Sequence, residues 1–359
     1  MSAISQSAAL SPWSPSRSLV FECHAVSEIW TAGGNSKSND RLRLTGLLGG
    51  IRWWCEAIVR GFGVHACDPV DTPCRGNQAC AICGLFGKAD PASSARFAIR
   101  AWTGADKRHL FTKALTRGST IFLEFHFYRD RDRDHSFLEE YLLVKAMDVI
   151  SRYGSIGGKT TLKPTRPGNG VLLSPTAKNA WERRHTDYGL LELRTINGVS
   201  PTHWNGFQQQ FEDEMLNLLQ HPAPSNLPAL NRFWFAPGIT LFVHPTTAGG
   251  NDSINNLLGL EDTKSANNQL KPKTWPPPDA CNPLREHLRG IPEHSALGLT
   301  ASSKKAFSFG SMGSSKLARS WGYVLDPRLL GQLPDLLRSA GIATAQVKGV
   351  AVLHEPIGG

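Results

Sequence analysis

Apolar and polar residues alternate over residues 18–31, SLVFECHAVSEIWT, and the stretch is rich in β-formers, so it predicts a strand. Residues 94–102 and 120–128, the latter reading TIFLEFHFY, predict two more. Between the first and second of these the period changes. Leu47, Leu48, Ile51, Trp54, Cys55, Ile58 and Val59 fall at helical spacing and predict an amphipathic helix over 45–60. Thr45 is placed to cap its first turn, and Gly46, Gly49 and Gly50 allow a backbone to approach closely. Arg52, Glu56 and Arg60 stand four apart on another face, where opposite charges support the helix. Helical spacing returns over 137–153 through Leu138, Tyr141, Leu142, Lys145, Ala146, Val149 and Ile150, and residues 170–174 predict a further strand. The order strand–helix–strand–strand–helix–strand is the ferredoxin-like, or RRM-like, arrangement.

The second half carries the same kinds of signal. A helix is predicted over 206–219, ending at His221-Pro-Ala-Pro, where the domain boundary is placed. Strands follow at 232–235, 239–243, 305–309 and 321–325, a helix at 328–339, and a last strand at 344–354. Residues 246–283 are polar, with Asn pairs and Trp275-Pro-Pro-Pro, and read as a long loop. The expected organisation is therefore α+β: a flexible polar arm over 1–17, a first ferredoxin-like domain over 18–225 with an insertion at 62–90, and a second over 226–359. Residues 129–134, RDRDRD, read as a solvated turn.

Composition narrows the partners. The chain has 359 residues and a net charge of +9, with a pI near 9.3. Such a balance favours a polyanion, most often nucleic acid. No apolar run reaches the roughly 18 residues that a membrane span needs. The N-terminal stretch lacks the pattern of a signal peptide, so a cytoplasmic location is expected.

Seven cysteines include four in one loop: Cys67, Cys74, Cys80 and Cys83. Four thiolates satisfy tetrahedral zinc, and a Cys-x2-Cys knuckle supplies two from one turn. The first two spacings are irregular, and His65 could replace one cysteine. Such a site is structural, because four cysteines leave no open position for water. The opposing reading is four unligated thiols in a loop, which would be prone to oxidation.

Arg41, Arg43 and Arg52 surround the start of the 45–60 helix, whose exposed N–H groups make a ready phosphate site. Gly154-Ser-Ile-Gly-Gly-Lys-Thr160 is not a P-loop, since Tyr153 stands where the first glycine is needed and the segment follows a helix. A second basic glycine–serine stretch runs from Phe309 to Arg319, with Lys304, Lys305, Lys316 and Arg319 around it. Trp53 and Trp54 cannot share one helix face. Trp54 belongs with the core, and Trp53 is left to cover a neighbour or a subunit interface. No nucleophile elbow, zincin motif or spaced acidic cluster is present, and His24, His65, His126, His185, His203 and His287 are scattered. Asp40, beside the phosphate-binding stretch, reads as a turn residue, with a nuclease aspartate as the alternative.

The run 45–61, Ala66-Cys67-Asp68-Pro69 and Cys80-Ala81-Ile82-Cys83-Gly84-Leu85-Phe86-Gly87 together resemble the RAMP proteins of CRISPR effector complexes. Specifically, they resemble the Cmr subunit numbered one of the type III-B complex. The shared features are a threonine or serine, a leucine and a glycine, then an arginine and a tryptophan pair on a helix, then a cysteine-bearing loop ending in Leu-Phe-Gly. The family's loop is variable, so the zinc reading comes from the cysteines alone. The resemblance implies that the glycine-rich segment after the second helix contacts RNA. Arg152, Lys159, Lys163 and Arg166 would then meet phosphates, and Tyr153 would stack on a base. Here the family's compact pattern is stretched by residues 162–167 before Gly168-Asn-Gly170.

The resemblance further implies a non-catalytic RNA-binding subunit in antiviral defence. It would engage guide and target RNA near the 3′ end of the guide, beside other RAMP subunits, one of which does the cutting. Thr45, Lys316 and Arg319 complete the expected RNA-binding set. The alternatives are a stand-alone RAMP-type endoribonuclease that processes CRISPR RNA and a zinc-bearing RNA-binding module outside CRISPR systems.

Overall fold

The computed structural model describes residues 18–32, 39–71, 73–74, 79–89, 92–104, 109–128, 136–157, 188–219, 223–224, 226–239, 283–289, 305–309, 318–339 and 347–358. The expected arm at 1–17, the charged turn at 129–134, the strand at 170–174 and all but the last residue of the 246–283 loop lie outside these residues.

The first half runs β1 (Ser18–Ala25), α1 (Leu44–Gly61), α2 (Ala81–Phe86), a short hairpin β2 (Lys88–Ala89) and β3 (Ala92–Ser93), β4 (Phe97–Thr103), β5 (His109–Leu110), β6 (Thr120–Phe127), α3 (Phe137–Arg152) and β7 (Leu191–Ile196). β1 forms as its alternation demands: Leu19, Phe21, Cys23 and Ala25 are buried, and the residues between them face the other way. The sheet order is β5-β4-β6-β1-β7, and all its pairings are antiparallel. Counting β1, β4, β6 and β7 as its four main strands, the spatial order is fourth, first, third, second.

Among the described residues the fourth main strand is one the sequence reading did not pick out: Leu191–Ile196, LELRTI, which puts Leu191, Leu193 and Ile196 inward.

α3 starts at a capping box: Ser136 Oγ accepts from the Glu139 N–H at 3.4 Å, and Glu139 Oε2 accepts from the Ser136 N–H at 3.0 Å. α1 has no such side-chain cap. Thr45 sits exposed within its first turn, contrary to the capping expectation. The helix entry is fixed from a distance instead, by Thr31, whose Oγ1 accepts from the Arg43 N–H at 2.9 Å. Gly46 explains itself here, since a Cβ there would collide with the Thr31 carbonyl oxygen.

The second half adds a 3₁₀ turn (Pro201–Phe207) leading into α4 (Gln208–Leu216), which lies within the helix predicted over 206–219, then β8 (Phe233–Pro237), α5 (Pro283–Arg289), β9 (Ala306–Phe309) and β10 (Arg319–Tyr323). A 3₁₀ turn (Pro327–Gln332) continues into α6 (Leu333–Ser339), followed by β11 (Val347–Lys348) and α7 (Gly349–His354). The predicted final strand is thus mostly helix: Gly349, Val352 and Leu353, three and four apart, bury one face of α7. The second sheet has the order β11-β8-β10-β9, again antiparallel and again fourth, first, third, second. The chain is thus a mixed α+β structure of antiparallel sheets.

The two sheets share a core. Phe233, Phe235, Trp321 and Tyr323 project from one face of the second sheet into the cluster that holds α1, α3 and the first sheet. Trp234, Ala236, Ala306 and Val324 pack with Leu284 and Leu288 of α5 and with α6. With both faces covered, β8 is a continuous apolar run rather than an alternating one. Trp53 and Trp54 join the layers. Their rings meet edge-on at 5.1 Å, and Trp53 lies 5.9, 6.2 and 5.8 Å from the rings of Phe233, Trp321 and Tyr323. Trp54 packs over Gly154, where a Cβ would strike its ring, and donates its indole N–H to the Ser155 carbonyl at 2.9 Å.

Candidate metal centre and nucleic-acid interface

α1 builds the cysteine site from its buried polar side. Two residues past the end of α1, Gly63 takes a φ of +83°, the left-handed conformation a glycine adopts after a helix. The chain then folds back so that Arg60 reaches it. Arg60 Nε donates to the Ala66 carbonyl at 2.8 Å and a terminal nitrogen to the Cys67 carbonyl at 2.6 Å, which fixes where Cys67 points. Downstream, Cys80 caps α2: its Sγ accepts from the Cys83 N–H at 3.5 Å, so the Cys-x2-Cys knuckle is the first turn of a short helix. Gly87 closes that helix at φ +83°. Arg52 spans the two segments, donating to the Gly87 carbonyl at 3.0 Å and to Cys83 Sγ at 3.4 Å.

The four sulfurs of Cys67, Cys74, Cys80 and Cys83 all lie within 4.8 Å of one another. Cys67 and Cys83 stand 3.3 Å apart, Cys67 and Cys80 3.8 Å. A tetrahedral site with metal–sulfur bonds of about 2.3 Å has sulfur–sulfur edges of about 3.8 Å, so the donor set fits such an ion. Cys67 and Cys83 are buried and the other two half-buried. Among the described residues this is the one group of three or more potential ligands that converges, and His65 is not in it.

The thiols are unequal. Cys80 is pulled down, to about 4, chiefly because the Cys83 thiol donates to it. Cys83 is pushed up chiefly by that same bond, and Cys67 is pushed up to about 11 mainly by burial. One thiolate is comfortable there alone, and four together need a cation to gather their charge.

Arg52, Glu56 and Arg60 form the i, i+4 pairs their spacing suggested, at 2.9 and 3.4 Å. They are interior, however, with side-chain exposures of 18, 4 and 2%. Burial raises the Glu56 carboxyl, and the two guanidinium groups oppose that rise. Arg52 is therefore bound to the cysteine loop rather than open to RNA.

The expected RNA-binding residues separate into groups. Arg41 is exposed and Arg43 half-exposed at the entry to α1, whose first turn has no acidic residue. Arg43 meets Asp40 at 3.8 Å across the surface. Lys113, not singled out in the sequence, pairs with Arg41 in an isolated antiparallel bridge and is exposed beside it. Only the folding of the β5–β6 connection against 39–42 brings the two together.

Arg152, Tyr153 and Arg319 are placed differently from expectation. Arg152 pairs with Asp148 at 3.3 Å and with Glu355. Tyr153 is 7% exposed, lies 5.1 Å from the Phe235 ring and donates its hydroxyl to Glu355 at 2.6 Å, so its ring has no face to offer a base. Arg319 donates to the Ser151 and Gly154 carbonyls at 2.7 and 3.3 Å, capping the end of α3, and burial lowers it to about 10. All three hold the second half and the C-terminal segment onto α3. Lys159, Lys163, Arg166 and Lys316 lie outside the described residues.

The outer face of the first sheet sets Trp102 opposite Phe122. Trp102 donates to Glu124 at 2.9 Å, and Thr195 donates to Glu22 at 2.9 Å.

Residues 22–162 match the family model described as the RAMP superfamily. The match spans most of β1 together with α1, the cysteine loop, β4, β6 and α3, and so includes the residues of α1 and its loop that carry the resemblance to RAMP proteins. Among solved structures, the chain is similar to the crystal structure of Cmr1 from Pyrococcus furiosus in its apo form. That similarity covers 85% of this chain and 87% of that one at 11% identity, with a TM-score of 0.38. No curated protein matches the sequence.

Proposed function

We propose that this chain is a non-catalytic, RNA-binding subunit of a type III-B CRISPR ribonucleoprotein. It engages guide and target RNA near the 3′ end of the guide, beside other RAMP subunits, in cytoplasmic antiviral defence. The observation that carries the reading is the RAMP match over residues 22–162, which includes the helix and loop whose residues resemble the first Cmr subunit. The charge of +9 supports a polyanionic partner. Arg41, Arg43 and Lys113 at the uncapped N-terminus of α1 give phosphates a cationic landing place. Lys159, Lys163, Arg166 and Lys316 extend the same reading along the two glycine-rich segments.

The finer architecture belongs to this proposal. Both sheets, with a helix after the first and third strands, have the strand order of ferredoxin-like units, so the chain is two such units in tandem, with the cysteine loop inserted in the first. The loop holds one Zn²⁺ through Cys67, Cys74, Cys80 and Cys83. When bound, the ion supplies a structural crosslink and no open coordination position.

The test is labelled single-stranded RNA carrying a CRISPR repeat tag, incubated with purified protein with and without magnesium. Binding without cleavage is the expected result. Specific cleavage lost in Asp40→Ala overturns the non-catalytic reading, and cleavage lost on changing one histidine instead supports a processing endoribonuclease.

A further inference from the structure

The ladder Arg52–Glu56–Arg60 is the part of the cysteine site that ligand counting leaves out. Three charged groups in the interior of an 18-residue helix are costly unless each finds a partner. Here Arg52 has three: Glu56 Oε1 at 2.9 Å, the Gly87 carbonyl at 3.0 Å and Cys83 Sγ at 3.4 Å. Its guanidinium also lies 6.0 Å from the Phe86 ring centroid. Arg60 holds the Ala66 and Cys67 carbonyls on the other side and reaches the Pro228 carbonyl at 3.3 Å. The two arginines therefore grip the two ends of the cysteine loop, and Glu56 lies between them.

We infer that Arg52 is a positioning residue of the metal centre, an outer-sphere donor to the Cys83 sulfur that sets the affinity of the four-cysteine site. The inference rests on the four-cysteine metal reading above.

Its physical basis is charge and geometry. Four thiolates around a divalent cation leave two negative charges, and Glu56 adds a third close by. Arg52 and Arg60 supply two positive charges within hydrogen-bonding distance, one of them directly on a ligand sulfur. The planar guanidinium reaches the sulfur, the carbonyl of Gly87 and Glu56 at once, which a lysine ammonium on a flexible stem does not reproduce. The Gly87 bond also fixes the end of α2, so Cys80 and Cys83 turn toward Cys67 and Cys74 without the metal having to order them. Losses of such outer-shell partners typically weaken metal binding about 10–100-fold.

The test compares the full-length wild type, Arg52→Met and Arg52→Lys, with Cys80→Ser as the ligand-loss control. Zinc affinity is read by competition with a chromophoric chelator, and Co²⁺ substitution reports the ligand set through its sulfur-to-cobalt absorption. The expected result is that Arg52→Met binds zinc about 10–100-fold more weakly, with the four-thiolate Co²⁺ spectrum unchanged, and that Arg52→Lys recovers part of the loss. Cys80→Ser should change the spectrum itself. Wild-type affinity in Arg52→Met overturns the inference while leaving the metal reading intact. A wild type that binds neither zinc nor Co²⁺ stoichiometrically overturns the metal reading, and this inference with it. Should Arg52→Met fail to fold, Arg52→Lys decides: a Lys variant indistinguishable from wild type in affinity removes any role for the fork geometry.

Discussion

Glu56 stands between two guanidinium groups where almost no water reaches it, and those two arginines in turn hold the cysteine loop and the Pro228 carbonyl. Removing the carboxylate leaves two buried guanidinium charges with only neutral partners, and breaking such a buried pair costs roughly 3–5 kcal/mol. Glu56→Ala should therefore lower the unfolding free energy by about that much in urea titration. Asp335→Ala, which breaks an i, i+3 pair whose side chains are 80 and 66% exposed, should shift it by under about 1 kcal/mol. Equal effects would contradict the placement of the ladder. The spacing of Arg52, Glu56 and Arg60 was legible in the sequence, but their burial was not. The groups that cover them come from Ala66 to Gly87 and from Pro228, and periodicity within a helix carries no information about a loop that folds back over it. The partners of Arg152, Tyr153 and Arg319 were illegible for the same reason, because Glu355 for the first two and Ser151 and Gly154 for the third lie well over a hundred residues away along the chain.

At the scale of elements, strong alternation and strong helical periodicity gave α1, β6 and α3 to within a residue of their true bounds, while β1 stops at Ala25, six residues short of the predicted end. The capping box at Ser136 and Glu139 was also there to be read. β7 was missed because Leu191–Ile196 interleaves charged Glu192 and Arg194 with its apolar residues, and the more continuously apolar run at 170–174 drew the assignment. α7 was read as strand because Val350, Val352 and Leu353 favour strands locally, and the burial of Val352 and Leu353 against the rest of the core overrides that preference.

One element carries a pH-dependent joint. α5 is tied to the end of β10 by His287, whose Nε2 accepts from the Leu325 N–H at 2.8 Å. Burial, reinforced by Lys305 and opposed by Asp326, lowers this imidazole from the ordinary 6.5 to about 4. Above 6.5 it is neutral whether folded or unfolded, and its contribution is fully present. As the pH falls from 6.5 toward 4 the unfolded chain takes up a proton that the folded chain refuses, so stability declines across that window. Urea midpoints between pH 7 and 4 should fall more steeply in the wild type than in His287→Gln, which keeps an acceptor but does not titrate. Parallel curves would contradict the assignment.

For the molecule as a whole, the metal centre and the shared aromatic core make separable contributions. Trp53 and Trp54 bind α1 to the second sheet independently of the cysteines. Cys80→Ser should therefore raise hydrogen exchange in the loop around Cys67 and Cys83 while β1, β6 and α3 keep their protection. Loss of protection throughout would mean that the metal holds up the entire fold rather than one insertion.

The claim that this is an RNA-binding RAMP subunit is tested most directly by the salt dependence of RNA affinity. Each phosphate contact on a single strand contributes about 0.7 to the slope of log K against log salt. Replacing both Arg41 and Arg43 with alanine should weaken binding and flatten the slope by about 1.4. An unchanged slope would place the RNA elsewhere than the entry to α1, and a wild-type protein with no measurable RNA affinity at low salt would contradict the account itself.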